Sequence, residues 1–292
     1  MTMTTAQSIT SGQMRQVRLI VETAVVHALE KDELCRDNAQ LIIEHGDKLK
    51  ARIREIILDL AHSDVFKSEE APSSSCYAPE FKVKSVGEQV DILRAAFPGI
   101  FSYDAEVTEW RLPRCAEGWF AIPLWEKIAP TYGEAVAKVV EALRNACGGL
   151  FCNFEWTKFH SDYLQETKRK VTHRQMLLDM QRERDIFIFP AQFGLRHRGR
   201  SMRRANEILI SYEFGLGAYE VGMMLLTHPE RIRNDNELFI DCIGDEFRVG
   251  LGEGFGLAPT YRFRDRLLEL SSAWIGRTGS SFGAATGFCI QL

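Results

Sequence analysis

The stretch Asp185-Ile186-Phe187-Ile188-Phe189-Pro190 decides the fold class. Its apolar run has the length of a strand, and the proline closes it. Two helical segments come after it, rather than one crossover helix. One begins at Ser201 and runs to about Tyr212; the other covers 218–226 and is ended by Pro229. Strands then resume at 238–243, 260–263, 267–271 and 287–290, and Gly250, Gly252, Gly254 and Gly256 form a hairpin loop between two of them. Upstream the mixture is the same. Strands are expected at 81–86 and 119–124, and helices at 87–96, 132–146 and 175–184, with Val136, Val139, Val140 and Leu143 lining one face of the second. No regular βαβ alternation runs through this order, so the expected class is α+β, ending in short antiparallel strands.

The region before residue 81 reads differently. Residues 1–11 are a polar tail, expected to be disordered, and 12–61 a helical segment. Val17, Val21, Ala24, Val25, Ala28 and Leu29 share a face of its first helix. Asp32 caps a second helix with Leu34, Ala39, Ile42 and Ile43, which Gly46 ends, and Asp47 caps a third with Leu49, Ile53, Ile56, Ile57 and Leu60. Residues 62–80, with Ser73-Ser74-Ser75 and few large apolar groups, are expected as a linker to an α+β domain over 81–292. Such a helical segment packs on the rest of the chain or on another protein, so an interaction scaffold is one expected function.

The chain has 292 residues, 36 basic against 40 acidic, a net charge of −4. That balance excludes a histone-like binder of polyanions but leaves room for a local basic patch. No apolar run reaches the roughly 18 residues of a membrane span, and Met1–Thr10 lacks the basic start and apolar core of a signal peptide. The seven cysteines, 35, 76, 115, 147, 152, 242 and 289, form no CxxC pair, which suits free thiols in a reducing cytoplasm. Cys147, Cys152 and His160 fit no zinc spacing, so neither metal nor cofactor is expected. Gly279-Ser280-Ser281-Phe282-Gly283 matches the nucleophile-elbow pattern, but no His, Asp or Glu comes after it.

Two clusters carry chemistry. Arg196, Arg198, Arg200, Arg203 and Arg204 fall within nine residues, around Gly199 and the expected helix cap Ser201. Planar guanidinium donors beside a helix N-terminus suit a phosphate. The leading expectation is therefore the binding of a phosphate-bearing partner, nucleic acid included, through 196–204. The second cluster is Asp241, Asp245 and Glu246 at a strand end. With His197 or His228 as proton carrier, these carboxylates suit a metal-assisted or acid–base hydrolase. Residues 162–204 carry 11 basic and 5 acidic side chains, and 205–265 carry 5 and 11. Such complementary segments can neutralise one another, so Arg196, Arg198 and Arg200 paired with Asp241, Asp245 and Glu246 is the internal alternative to an external anion.

Ile128–Ala135, Phe189–His197, Leu226–Arg231, Ile240–Phe247 and Gly283–Phe288 together resemble a family of uncharacterised, hypothetical bacterial proteins from candidate-phylum genomes. The resemblance runs from about residue 12 onward. It implies a bacterial cytoplasmic protein of about this length, and brings no activity, cofactor or catalytic residue with it.

Overall fold

The computed structural model of the chain describes residues 11–31, 40, 42–62, 65–153, 159–181, 184–250 and 254–289. The chain divides into two compact units, Met1–Asp64 and Val65–Leu292. The first holds α1 (Ser11–Lys31) and α2 (Gly46–His62). Asp47 stands in the first turn of α2, where a carboxylate meets the positive end of the helix dipole. Residues 1–10 lie outside the described residues, as do Asp32, Leu34 and Ala39 of the expected middle helix, whose Ile42 and Ile43 are helical.

In the second unit the helices are α3 (Val86–Ala96), α4 (Trp125–Ile128), α5 (Tyr132–Ala146), α6 (Lys168–Met180), α7 (Met202–Glu207) and α8 (Ala218–Thr227). The strands are β1 (Gly118–Pro123), β2 (Phe151–Asn153), β3 (Leu164–Glu166), β4 (Ile186–Gln192), β5 (Glu213–Gly215), β6 (Phe239–Asp241), β7 (Asp245–Phe247), β8 (Leu257–Arg264), β9 (Leu267–Trp274), β10 (Phe282–Ala284) and β11 (Thr286–Phe288). Four of them form an antiparallel sheet in the order β1-β4-β11-β5. In the larger sheet β8 pairs with β6, β7 and β9, β3 pairs with β7, and two parallel contacts, β10 on β6 and β2 on β9, complete it. The protein is α+β, as expected from the sequence.

Pattern explains the core. The α8 sequence is apolar on every side but for Glu220, and all ten of its residues are buried, packed against α5, β1 and α3. β4 is buried at all seven positions, so it reads as a continuous apolar run rather than an alternation. Pro190 does not end β4. Its partner in β1 is Trp119, while β11 reaches only Ala191 and Gln192, so the proline sits where β4 has one neighbour.

β10 and β11 are one extended run broken only by Ala285. Ala284 pairs with Asp241 in the larger sheet, and Thr286 pairs with Gln192 and Gly215 in the smaller one. Ala285 itself donates to the Asp241 carbonyl at 3.0 Å and accepts from the Leu216 N–H at 3.1 Å. A single strand thus ties the two sheets together.

Four expectations are corrected. Residues 81–85 are not a strand, because the Lys84 N–H is taken by His228 Nε2 at 2.9 Å and the Phe81 N–H turns back to Ala78. The helix expected at 175–184 starts earlier, at Lys168, since Thr167 supplies its cap by accepting from the Lys170 N–H. The helix expected from Ser201 to Tyr212 stops at Glu207. Finally, 65–80 is not a free linker. The Ala71 N–H donates to Gly199 at 2.7 Å, the Ser201 N–H donates to Glu69 at 3.0 Å, and Tyr77 is hydrogen-bonded to Glu117.

Candidate functional site

The arginines of 196–204 are engaged by the chain's own acids, and not by those the sequence suggested. Arg196 Nε lies 3.0 Å from Glu213 of β5, and its Nη1 lies 3.0 Å from the Cys115 thiol. Arg203 makes a forked contact with Glu69, at 2.8 Å to each oxygen from Nε. Arg204 binds Glu70 at 2.6 Å and Glu207 at 2.8 Å. Arg200 lies 3.4 Å from Glu70. Arg198 is exposed and donates to the Ser75 carbonyl. Gly199 does allow a close backbone approach, but the approaching group is internal. It sits at φ +78°, and a Cβ there would lie 2.2 Å from the Ala71 carbonyl oxygen. Ser201 caps α7, accepting from the Arg204 N–H at 3.1 Å, and its hydroxyl also donates to Glu69. The acids at 69 and 70, placed in the expected linker, were invisible as partners for that reason.

The carboxylates of the second cluster are dispersed. Asp241 is fully buried in β6, with Oδ1 accepting from Thr260 at 2.9 Å. Glu246 faces the other way from Asp245 on β7 and accepts from Gln165 at 2.7 Å. The two histidines serve neither. His197 Nε2 lies 2.8 Å from Glu213, and burial holds its imidazole below the usual range. His228 is buried among Phe81, Phe120 and Phe193, and burial followed by the nearby Lys84 charge lowers it to about 4. Among the described residues, no group of three His, Cys, Asp or Glu side chains is placed to hold a metal ion.

Asp245 is the exception, because it enters a cluster that the spacing did not reveal. Lys170, on the first turn of α6, is 1% exposed. Its ammonium lies 2.7 Å from Glu220 of α8, 3.1 Å from Asp245 of β7 and 3.4 Å from Glu166 of β3. It also donates to the Tyr132 hydroxyl at 2.8 Å, and that hydroxyl lies 2.8 Å from both oxygens of Asp245. The Ala218 N–H, at the start of α8, donates to Asp245 Oδ2 at 2.7 Å, and the Gly217 N–H donates to Glu220 at 2.9 Å. Two acids thus sit at the positive end of α8. Gly217 makes the room, since a Cβ there would lie 2.2 Å from Asp245 Oδ1 and 2.4 Å from Lys170 Nζ.

The electrostatics arise from this packing. Burial opposes the ammonium of Lys170, but Asp245, Glu220 and Glu166 outweigh it and hold the group well above its ordinary value. One cation cannot balance three carboxylates. Burial first, and Glu220 next against the pull of Lys170, raise Asp245 to about 6. Burial and the Asp245 charge push the Tyr132 hydroxyl far up, so it remains a proton donor. A cavity of about 20 Å3 adjoins the cluster, lined by Lys170, Arg174, Glu220, Trp125, Phe214 and Tyr219. That is room for one water.

A larger cleft of about 520 Å3 opens at the other end of β1, lined by Lys84, Tyr103, Thr108, Glu117 and Trp119. Its charged groups are already engaged, Lys84 with Glu230 at 2.6 Å and Glu117 with Tyr77 and the Phe193 N–H. No family model, curated protein or solved structure matches this chain. The site's geometry alone therefore carries the functional reading.

Proposed function

We propose that this chain is an acid–base enzyme of hydrolytic type, with Lys170, Asp245, Glu220 and Tyr132 as its reacting groups. One observation carries the reading: a fully buried ammonium, which shares a phenol with a fully buried carboxyl, lines a water-sized cavity. Desolvating these charges is costly, and such arrangements concentrate where proton transfer is needed. Asp245 acts as the base, because a carboxyl at about 6 exchanges its proton near neutrality. Tyr132 is placed to relay a proton to it. Lys170, charged at every working pH, supplies fixed positive charge for an oxyanion forming beside it. The short helix α4 carries Trp125 over the cavity, and its Glu126 and Lys127 pair with Arg174 and Asp185. Both pairs are partly exposed and individually weak, so displacing α4 opens the site to a substrate.

The reading in which 196–204 grips a phosphate-bearing partner has less support, since four of the five guanidiniums face acids of the same unit.

Chromogenic ester, amide, glycoside and phosphate substrates test the proposal, with the parent protein beside Asp245→Asn. The parent should turn over at least one class, with a rate that rises as pH passes through about 6. The variant should lose about 100-fold or more without a fall in melting temperature. A parent inert on every class, or turnover that Asp245→Asn shares, overturns the reading.

A further inference from the structure

The cavity beside Lys170 is lined by two residues with unused donors. Arg174 stands one turn after Lys170 on α6, so the two side chains share a face, and both line the cavity. The buried Nε–H of Arg174 makes no hydrogen bond among the described residues; Glu166 Oε1 lies 3.9 Å from it, beyond bonding reach. Trp125 lines the same cavity, and its indole N–H is likewise buried without an acceptor. Buried donors without acceptors are costly, so the pair calls for an oxygen. The remaining walls are largely apolar, with Leu177, Phe187, Phe189 and Phe214 among them.

Glu126 of α4 shows which oxygen. Its Oε1 accepts from Arg174 Nη1, and the guanidinium lies 5.3 Å from the centre of the Trp125 ring. That is one hydrogen bond to a group with five N–H donors. The Glu126 side chain is 42% exposed, against 19% for Arg174. Glu126 can therefore rotate into solvent while the arginine stays in place. A ligand carboxylate that replaces it leaves the charge of the cluster unchanged, and this condition selects the ligand. Lys170 already faces three carboxylates, so a phosphate dianion would add charge where acids are in excess. A neutral group would leave the guanidinium without its counter-charge. The apolar walls suit a hydrocarbon body.

We propose that Arg174 anchors a carboxylate of the substrate and that Glu126 is its internal stand-in, so that the substrates are monoanionic acids with a short apolar body. This deepens the acid–base reading and rests on it for the place of the reacting bond, beside Lys170. Side chains one helical turn apart leave their Cβ atoms about 6 Å apart. The carboxylate and the reacting centre are then separated by about that distance, as in a half-ester of glutaric acid.

Calorimetric titration of the full-length protein with benzoate and with benzamide tests the anchor without requiring turnover. Benzoate should bind about tenfold or more tightly than the neutral amide. Glu126→Gln should tighten benzoate about threefold or more and leave benzamide unchanged, because the guanidinium no longer has to be released from a carboxylate. Arg174→Gln should weaken benzoate to the level of benzamide, and Arg174→Lys should retain part of the difference. Among chromogenic esters, the nitrophenyl half-ester of glutarate should show a lower KM than nitrophenyl butyrate, a preference that Arg174→Gln removes. Equal binding of benzoate and benzamide, or benzoate binding indifferent to Glu126→Gln, overturns the anchor even where esters are turned over. A protein that selects benzoate in this way but hydrolyses no ester keeps the anchor and overturns the acid–base reading alone.

Discussion

Changing Lys170 to Met should lower the unfolding free energy at neutral pH by about 3–5 kcal/mol, the cost of leaving buried carboxylates without their counter-charge. For a unit of this size that is a fall of roughly 10 °C in Tm. Methionine retains the length of the stem, so the loss reports the ammonium rather than a cavity. Because Lys170 is held above its ordinary value in the fold, its contribution is complete at neutral pH and fades only in strong alkali. In the variant, by contrast, the deficit should shrink as pH falls, since protonating Asp245, whose carboxyl is already held above its ordinary value, removes part of the uncompensated charge. Adding Asp245→Asn to Lys170→Met should recover part of the loss, a coupling that a double-mutant cycle measures. A melt within about 1 °C of the parent would show that the ammonium does not hold these elements together.

Asp241 should produce the opposite change. Burial raises its carboxyl to about 7, against the smaller opposing effects of the Thr260 hydroxyl and the Arg277 charge. Its Oδ2 has no hydrogen-bond partner among the described residues. A carboxyl whose folded value exceeds its unfolded value of 3.8 binds its proton more tightly when folded. Stability is therefore greatest below pH 4 as far as this group is concerned, declines between about 4 and 7, and stays reduced above. The full decline is about 4 kcal/mol. Asp241→Asn removes the titration, so at pH 8 the variant should be the more stable protein by a few kcal/mol, with little difference at pH 4. Chemical denaturation at the two pH values measures this. A variant less stable than the parent at both would mean that the carboxylate is welcome where it stands.

Much of the larger unit was legible because its signals are local. The helix expected at 132–146 is found at Tyr132–Ala146, and that at 218–226 at Ala218–Thr227. Both have apolar faces at helical spacing and a clear start or stop. The short strands β2, β3, β5, β7 and β10 were missed, because three residues hold too few alternations to show a period. The site was half visible. Asp245 stood out, and the opposite charges of 162–204 and 205–265 do meet, at Lys170 with Glu220 and Asp245, at Arg196 with Glu213 and at Arg204 with Glu207, though not in the expected pairs of Arg196, Arg198 and Arg200 with Asp241, Asp245 and Glu246. Lys170 was lost among the basic residues 168–170, where a solvent-facing helix start is the ordinary reading. Glu220 offered a usable sign, as a lone acid in a helix otherwise apolar all round. Tyr132 offered none, since only tertiary packing brings it to Asp245.

The shared run from Phe282 to Phe288 also bears on how the protein is made. Thr286 closes the smaller sheet between β4 and β5, and Ala284 completes the edge of the larger one beside β6. The larger sheet lacks its last strand until residue 284 has left the ribosome, and the smaller one until residue 288 has. Contacts so distant in sequence form slowly, and until they form the β4 edge that β11 covers stands open to other chains. The nascent protein should therefore depend on chaperones until residues 282–288 have emerged, and close both sheets in one step.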